Sequence, residues 1–286
     1  MISTRLLKEN KLNNKIKSFF VDWREVSPTS TTPIVNMEIL DIVGAGGIIF
    51  LAGMLQSTVG FGYAMFATPL LVWIGLALPG VITLVATCSM IQAAIGARKL
   101  HADVPWRLSL SATTIRVAGI ALGMLLLKKL VTLNTDHIRM VIGSILCLLV
   151  SIQLLWGTRA VRVLHWSWAG FAFITSGLLA GLCGMGGPPL VLWSMALSWS
   201  SQMTRGFLFA VFATSIPVQI VLLFLMFGID ILSNVLLGIT FFPLIYLGAA
   251  IGLPIGNRIS KETLRHIAYG ILLLIGVSAM VPAFLS

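Results

Sequence analysis

From Ile39 onward the chain alternates long apolar runs with short polar stretches. Ten runs are read, at roughly 39–57, 62–78, 80–98, 107–128, 138–156, 167–183, 187–199, 204–227, 232–255 and 264–284. Most approach the ~20 apolar residues that carry a helix across the roughly 30 Å hydrocarbon core. None alternates with period two, as barrel strands would. The pattern predicts an all-α polytopic membrane protein. The second and seventh runs are short for a full span, so each is paired with its predecessor as a broken or re-entrant unit.

Two glycine-rich breaks interrupt the apolar pattern. The first is Gly53-Met54-Leu55-Gln56-Ser57-Thr58-Val59-Gly60-Phe61-Gly62, followed by Pro69. The second is Gly177-Leu178-Leu179-Ala180-Gly181-Leu182-Cys183-Gly184-Met185-Gly186, followed by Gly187-Pro188-Pro189. Glycine frees the backbone at such a point, and proline suits the first turn of a new helix. A break inside lipid is tolerated where its freed N–H and C=O groups face protein or a water-filled cavity. Matched breaks in two halves of a membrane protein point to a transport site.

The halves match elsewhere too. Ala86-Thr87-x4-Gln92 parallels Ala213-Thr214-x4-Gln219, and Gly119-x3-Gly123 parallels Gly248-x3-Gly252. Ile138 to Gly143 parallels Arg265 to Gly270. We read a repeat over 37–157 and a second over 158–286, after a tail over 1–36. Each repeat has an odd number of segments, whether or not the broken pair is re-entrant. The second copy is therefore expected to sit inverted in the membrane, with Gln92 and Gln219 near an in-plane pseudo-two-fold axis.

Composition agrees with this reading. The hydrophobic share is 58%, charged residues are only 10%, and mean hydropathy is +1.00, which excludes an ordinary soluble domain. The net charge of +10 reflects loop cations near anionic headgroups and argues for a lipid bilayer partner, with no nucleic acid. The tail holds six of the nineteen Lys and Arg residues. Leu12, Ile16, Phe19, Phe20 and Trp23 recur there at helical spacing, so it reads either as an amphipathic surface helix or as a disordered segment; a start at Met37 is a further reading. Loops on one side carry Arg98, Lys99, Arg107, Arg159, Arg162, Arg205, Arg258, Lys261 and Arg265, against Lys128, Lys129, Arg139 and the tail on the other. Short loops weigh most, so the first set is placed in the cytoplasm and both termini outside. Trp106, Trp156, Trp166, Trp168 and Trp199 fall near segment ends, where interfacial aromatics belong.

Candidate chemistry lies at the breaks. The helices that restart after Phe61 and Gly186 present N-terminal ends near the midplane, where unpaired N–H groups favour an anion. The other reading of Gly60, Gly62, Gly184, Gly186 and Gly187 is close helix packing. Arg116 stands in the middle of its segment, where an arginine costs roughly 2.5–3.5 kcal/mol on insertion scales. No Asp or Glu occupies the middle of any segment. Arg116 either binds an anionic substrate or is satisfied by backbone carbonyls freed at the breaks. Thr87, Gln92, Thr214 and Gln219, with Gln56, Ser57 and Thr58, either line the pathway or hydrogen-bond between helices. Cys183 could react with a sulfur substrate or serve as a small buried residue. Cys88, Cys147 and Cys183 give neither a disulfide framework nor metal-ligand spacing. His101, His137, His165 and His266 sit near segment ends, so no proton relay crosses the membrane, and no P-loop occurs.

On the motifs Gly53-x6-Gly60-Phe61-Gly62-x6-Pro69 and Gly177-x6-Gly184-Met185-Gly186-Gly187-Pro188-Pro189, with the duplicated Ala-Thr pairs, the chain resembles the sulfite exporter TauE/SafE family. The resemblance covers about residues 39–284. The family's usual glycine triplet is reduced here to Gly60-Phe61-Gly62 and Gly184-Met185-Gly186-Gly187, which bears on the width or selectivity of the site. The resemblance implies a bacterial inner-membrane protein that moves sulfite, thiosulfate, sulfonates or related small organic anions, with no cofactor and no enzymatic activity. A transporter of small carboxylates, a thiol carrier or enzyme built on Cys183, and a membrane scaffold are the alternatives.

Overall fold

In lipid, a backbone that satisfies its own hydrogen bonds is either a helix or a closed barrel, and this sequence takes helices. The computed structural model describes residues 39–131 and 165–258, with isolated helical positions between 141 and 151 and at Gly270. The tail and most of the fifth and tenth runs, with Trp156 and the matched stretches at 138 and 265, lie outside the described residues. In chain order the helices are α1 Ile39–Val59, α2 Tyr63–Trp73, α3 Leu78–Lys99, α4 Trp106–Val131, α5 Trp166–Cys183, α6 Gly187–Met195, α7 Ser201–Phe227, α8 Leu232–Thr240 and α9 Phe242–Arg258. Short 3-10 turns, His101–Asp103 and Gly228–Ile231, precede α4 and α8. No strand occurs among the described residues.

Five stretches, corresponding to α1, α3, α4, α5 and α7 running on into α8, are long and apolar enough to cross a membrane. Their outward faces carry exposed apolar side chains such as Val43, Leu110, Leu122, Phe171 and Val221. A surface of that kind suits lipid. Trp106, Trp166 and Trp168 lie exposed at helix starts, as interfacial residues should. The protein is thus an all-α, multi-pass membrane protein. α2 and α6, at eleven and nine residues, are the short partners of the two breaks.

Two segments differ from the expected pattern. The run over 232–255 is two helices, because Pro243 has no N–H to return to the preceding turn and its ring crowds the carbonyl there. The seventh run ends as a helix at Met195, and the chain folds back. Trp199 then packs edge-on to Trp193 with centroids 5.6 Å apart, and lies 5.4 Å from Phe207.

Packing runs between the halves. α4 lies along α5, α9 along α1, and α3 along α7. The first two contacts are built from small residues. A Cβ on Gly119 would sit 2.2 Å from the Ile174 carbonyl oxygen, and one on Gly123 2.0 Å from that of Leu178. The α9–α1 contact repeats this: a Cβ on Gly248 would sit 2.8 Å from the Phe50 carbonyl oxygen, and one on Gly252 2.5 Å from that of Met54. With no hydrophobic drive between helices in lipid, such close backbone approach supplies the association through dispersion. All the described residues belong to one compact unit, Thr32–Ser286.

Candidate functional site

The glycines end the two broken helices in the same way. Gly60 (φ 92°) and Gly62 (φ 100°) follow α1, and Gly184 (φ 77°) follows α5; all three are left-handed, where a Cβ is strained. The breaks meet each other. A Cβ on Gly187 would lie 3.9 Å from the Phe61 Cβ, and one on Gly184 would lie 3.6 Å from Thr68 Oγ1 of α2. Between them is a cavity with about 40 Å³ of room for water centres. One water needs about 10–15 Å³ on that measure, so the space suits a small occupant.

The first break gives the cavity Gly62, Tyr63, Ala64 and Met65, and the second gives it Gly184, Met185, Gly186 and Gly187. Gln56, Ser89, Arg116 and Phe212 complete the lining. The α2 ladder begins with the Phe66 N–H donating to the Gly62 carbonyl at 2.9 Å. The amides of Tyr63, Ala64 and Met65 precede that bond, so the lining includes the N-terminal turn of a helix with its partial positive charge. In α6 the corresponding turn reads Gly187-Pro188-Pro189, and the prolines have no N–H to offer.

Arg116 is buried (2% exposed) in the middle of α4. Its Nε donates to Ser176 Oγ at 3.0 Å, and its Nη1 donates to the Ser215 hydroxyl. Its guanidinium carbon stands 5.3 Å from the centroid of the Phe212 ring. Among the described residues no carboxylate pairs with it. Its contact with the freed carbonyls is indirect, since Ser176 Oγ donates to the Gly186 carbonyl. Nη2 lies 2.7 Å from where a Cβ on Gly186 would be, so that glycine makes room for the guanidinium. A cation held by neutral hydroxyls, beside a helix N-terminus and out of water, is an arrangement for an oxyanion.

Of the residues singled out in the sequence, Gln56, Gly62, Arg116, Gly184, Gly186 and Gly187 line this cavity. The others lie around it. The Gln92 amide donates to the Gly53 carbonyl at 3.3 Å and to the Ser57 hydroxyl; Gln219 donates to the Ala180 carbonyl at 2.9 Å. Both tie a helix of one pair to the broken helix of its own half. The Thr58 and Thr87 hydroxyls return to their own helices, through Leu55 and Thr83. Thr214 Oγ1 lies 2.7 Å from Thr113 Oγ1 of α4. Phe61 is buried at the meeting of the breaks. Gly60 packs on the Arg205 stem. The Cys183 thiol donates to the Leu179 carbonyl at 3.3 Å, fully buried.

Sequence reasoning missed six of the lining residues, Tyr63, Ala64, Met65, Ser89, Met185 and Phe212, and the buried Arg205 as well. Tyr63, directly after the first break, lines the cavity, and its buried hydroxyl stands beside the Cys88 thiol. Its position at the start of the restarted helix was the available signal. Arg205 was counted among the loop cations, yet it is 5% exposed and its Nη2 donates to the Ser57 carbonyl at 2.6 Å. It caps the C-terminal end of α1 with a cation, which suits the helix dipole, and it leaves the positive-inside count.

The family model described as Sulfite exporter TauE/SafE matches residues 45–279. A relative from Cupriavidus necator, named as a probable sulfite/organosulfonate exporter TauE, is 24% identical over 256 residues, covering 86% of this chain and 96% of its own length. No solved structure matches. With the matched region spanning both breaks and every described helix bar its ends, the chain belongs to the TauE/SafE sulfite exporter family.

Proposed function

We propose that this protein carries a small sulfur oxyanion, sulfite or a short sulfonate, across a bacterial inner membrane through the cavity at the junction of the two breaks. The observation that carries the reading is convergence: the buried Arg116 and the N-terminal turn of α2 line one small cavity. Both stabilise negative charge, and neither is matched there by a described acid. The relative's name supports sulfur chemistry for the cargo.

Mechanistically, the anion sheds water as it enters and takes guanidinium and amide hydrogen bonds instead. The flanking elements are the short helices α2 and α6, whose displacement relative to the longer helices exposes the cavity to one side and then the other. We assign the two halves, 37–157 and 158–286, to inverted copies of one unit. The exchange of partners, α4 with α5 and α9 with α1 through equivalent glycines, supports duplication. The paired ties from Gln92 and Gln219 support it as well.

The test is uptake by liposomes containing only the purified protein, with sulfite, thiosulfate, short sulfonates and simple carboxylates outside. Saturable movement of sulfite or sulfonate is expected. Movement of carboxylates alone rejects the cargo, and movement of nothing rejects transport in favour of a scaffold.

A further inference from the structure

The lining of the cavity also says which organic sulfonates fit it, an inference that rests on the function proposed above. We propose that the site accepts sulfonates with a neutral tail and rejects aminosulfonates, whose tail ends in an ammonium. The polar side chains of the lining are the Arg116 guanidinium, the Gln56 carboxamide and the hydroxyls of Ser89 and Tyr63, beside the first-turn residues of α2. None of the described lining residues is acidic. The acids that the structure describes, Asp41, Asp103 and Asp230, lie at helix starts or in the 3-10 turns.

An ammonium brought into this space finds no carboxylate among the lining residues, and several of the neutral acceptors there already take a hydrogen bond. The Gly186 carbonyl accepts from Ser176, and the Gly62 carbonyl from the Phe66 amide. The Gln56 Oε1 faces the Ser89 hydroxyl at 3.5 Å. The Phe212 ring has the Arg116 guanidinium beside it, so its face is not offered to a second cation. A second positive charge near Arg116 and the α2 N-terminus is repelled as well as stripped of water. Met65, Met185 and Phe212 supply instead an adaptable apolar wall for a short uncharged tail.

Isethionate and taurine test this, because they share a two-carbon sulfonate skeleton and differ in carrying a hydroxyl or an ammonium. Affinities are measured by calorimetry on the full-length protein in detergent at neutral pH, with ethanesulfonate and sulfite in parallel. Isethionate and ethanesulfonate are expected to bind at least about tenfold more tightly than taurine, as expected when a charged tail finds no partner. Arg116→Ala and Arg116→Lys should each weaken isethionate, the first more than the second. Equal or tighter binding of taurine overturns the inference and leaves the proposed function standing. Isethionate binding unchanged in Arg116→Ala moves the ligand to another place and overturns it too. Failure of sulfite and of every sulfonate to bind removes the proposed function itself, and this inference with it.

Discussion

The two breaks look alike in sequence and do different work. At the first, α1 ends under a cation from the other half: the Arg205 guanidinium takes the Ser57 carbonyl, and its stem fills the space beside Gly60. The helix that restarts there begins with three residues that have amide hydrogens, Tyr63, Ala64 and Met65, all lining the cavity. At the second, α5 ends under a neutral amide, Gln219 on the Ala180 carbonyl. The helix that restarts has prolines at its second and third positions and so offers few donors. Its deficit is offset by Arg116, which reaches the Gly186 turn through Ser176. The first break supplies the first turn of α2, and α4 supplies a full charge beside the second break. Two breaks that look alike thus meet the cavity asymmetrically, an arrangement in keeping with the proposed cargo, which has one charged end.

The largest test of this comparison is the charge itself. Arg116→Ala should lower oxyanion affinity and uptake by about a hundredfold or more, the scale of a lost charge-assisted pair out of water. The melting temperature should change little, because no described carboxylate is left unpaired. Arg116→Lys should recover only part, since lysine lacks the planar fork. Normal uptake by a well-folded Ala variant would remove Arg116 from the site.

The next test separates room for charge from room for packing. A Cβ at Gly186 would meet the Ser176 carbonyl at 2.5 Å and Arg116 Nη2 at 2.7 Å. At Gly123 it would meet only the backbone of α5, 2.0 Å from the Leu178 carbonyl oxygen. Both Ala variants should melt at lower temperature. Folded Gly123→Ala should keep its anion affinity, whereas Gly186→Ala should lose about tenfold as the guanidinium is displaced. The reverse pattern in calorimetry would place the site elsewhere.

A smaller effect compares the ends of the two broken helices. Gly60 and Gly184 are both left-handed, so alanine at either costs about 1–2 kcal/mol in backbone strain. At Gly60 the new Cβ also lies 2.8 Å from the Arg205 Cγ, while at Gly184 its nearest neighbour is 3.6 Å away. Gly60→Ala should therefore lower the melting temperature clearly more than Gly184→Ala. Equal losses would mean that Arg205 does not brace the first break.

The smallest effect is expected at Cys183. Its thiol is buried and donates to a carbonyl of its own helix, away from the cavity lining. Cys183→Ser keeps a donor of similar size, and uptake should stay within about twofold. Abolished activity would instead favour the thiol-carrier reading.

The sequence by itself determined the class of the molecule and the places where it departs from regular helix. Runs of apolar residues have one outcome in lipid, because each backbone must satisfy its own polar groups. The glycines that end α1 and α5 were legible for the same local reason, since left-handed backbone excludes most side chains. Arg116 was legible as an anomaly, a charge in the middle of a span with no acid at a similar depth. What Arg116 touches was decided only in three dimensions. Ser176 and Ser215 lie sixty and ninety-nine residues away, and nothing local links them to it. Gln92 and Gln219 had the symmetry of site residues, yet their amides turn back to carbonyls of α1 and α5. Arg205 read as a loop cation from its position near a segment end, and tertiary packing buried it against the first break. Hydropathy and glycine act along one dimension and can be read there. Which side chains meet depends on how closely helices approach, and the glycine contacts of α4 with α5 and α9 with α1 set that only once the chain has folded.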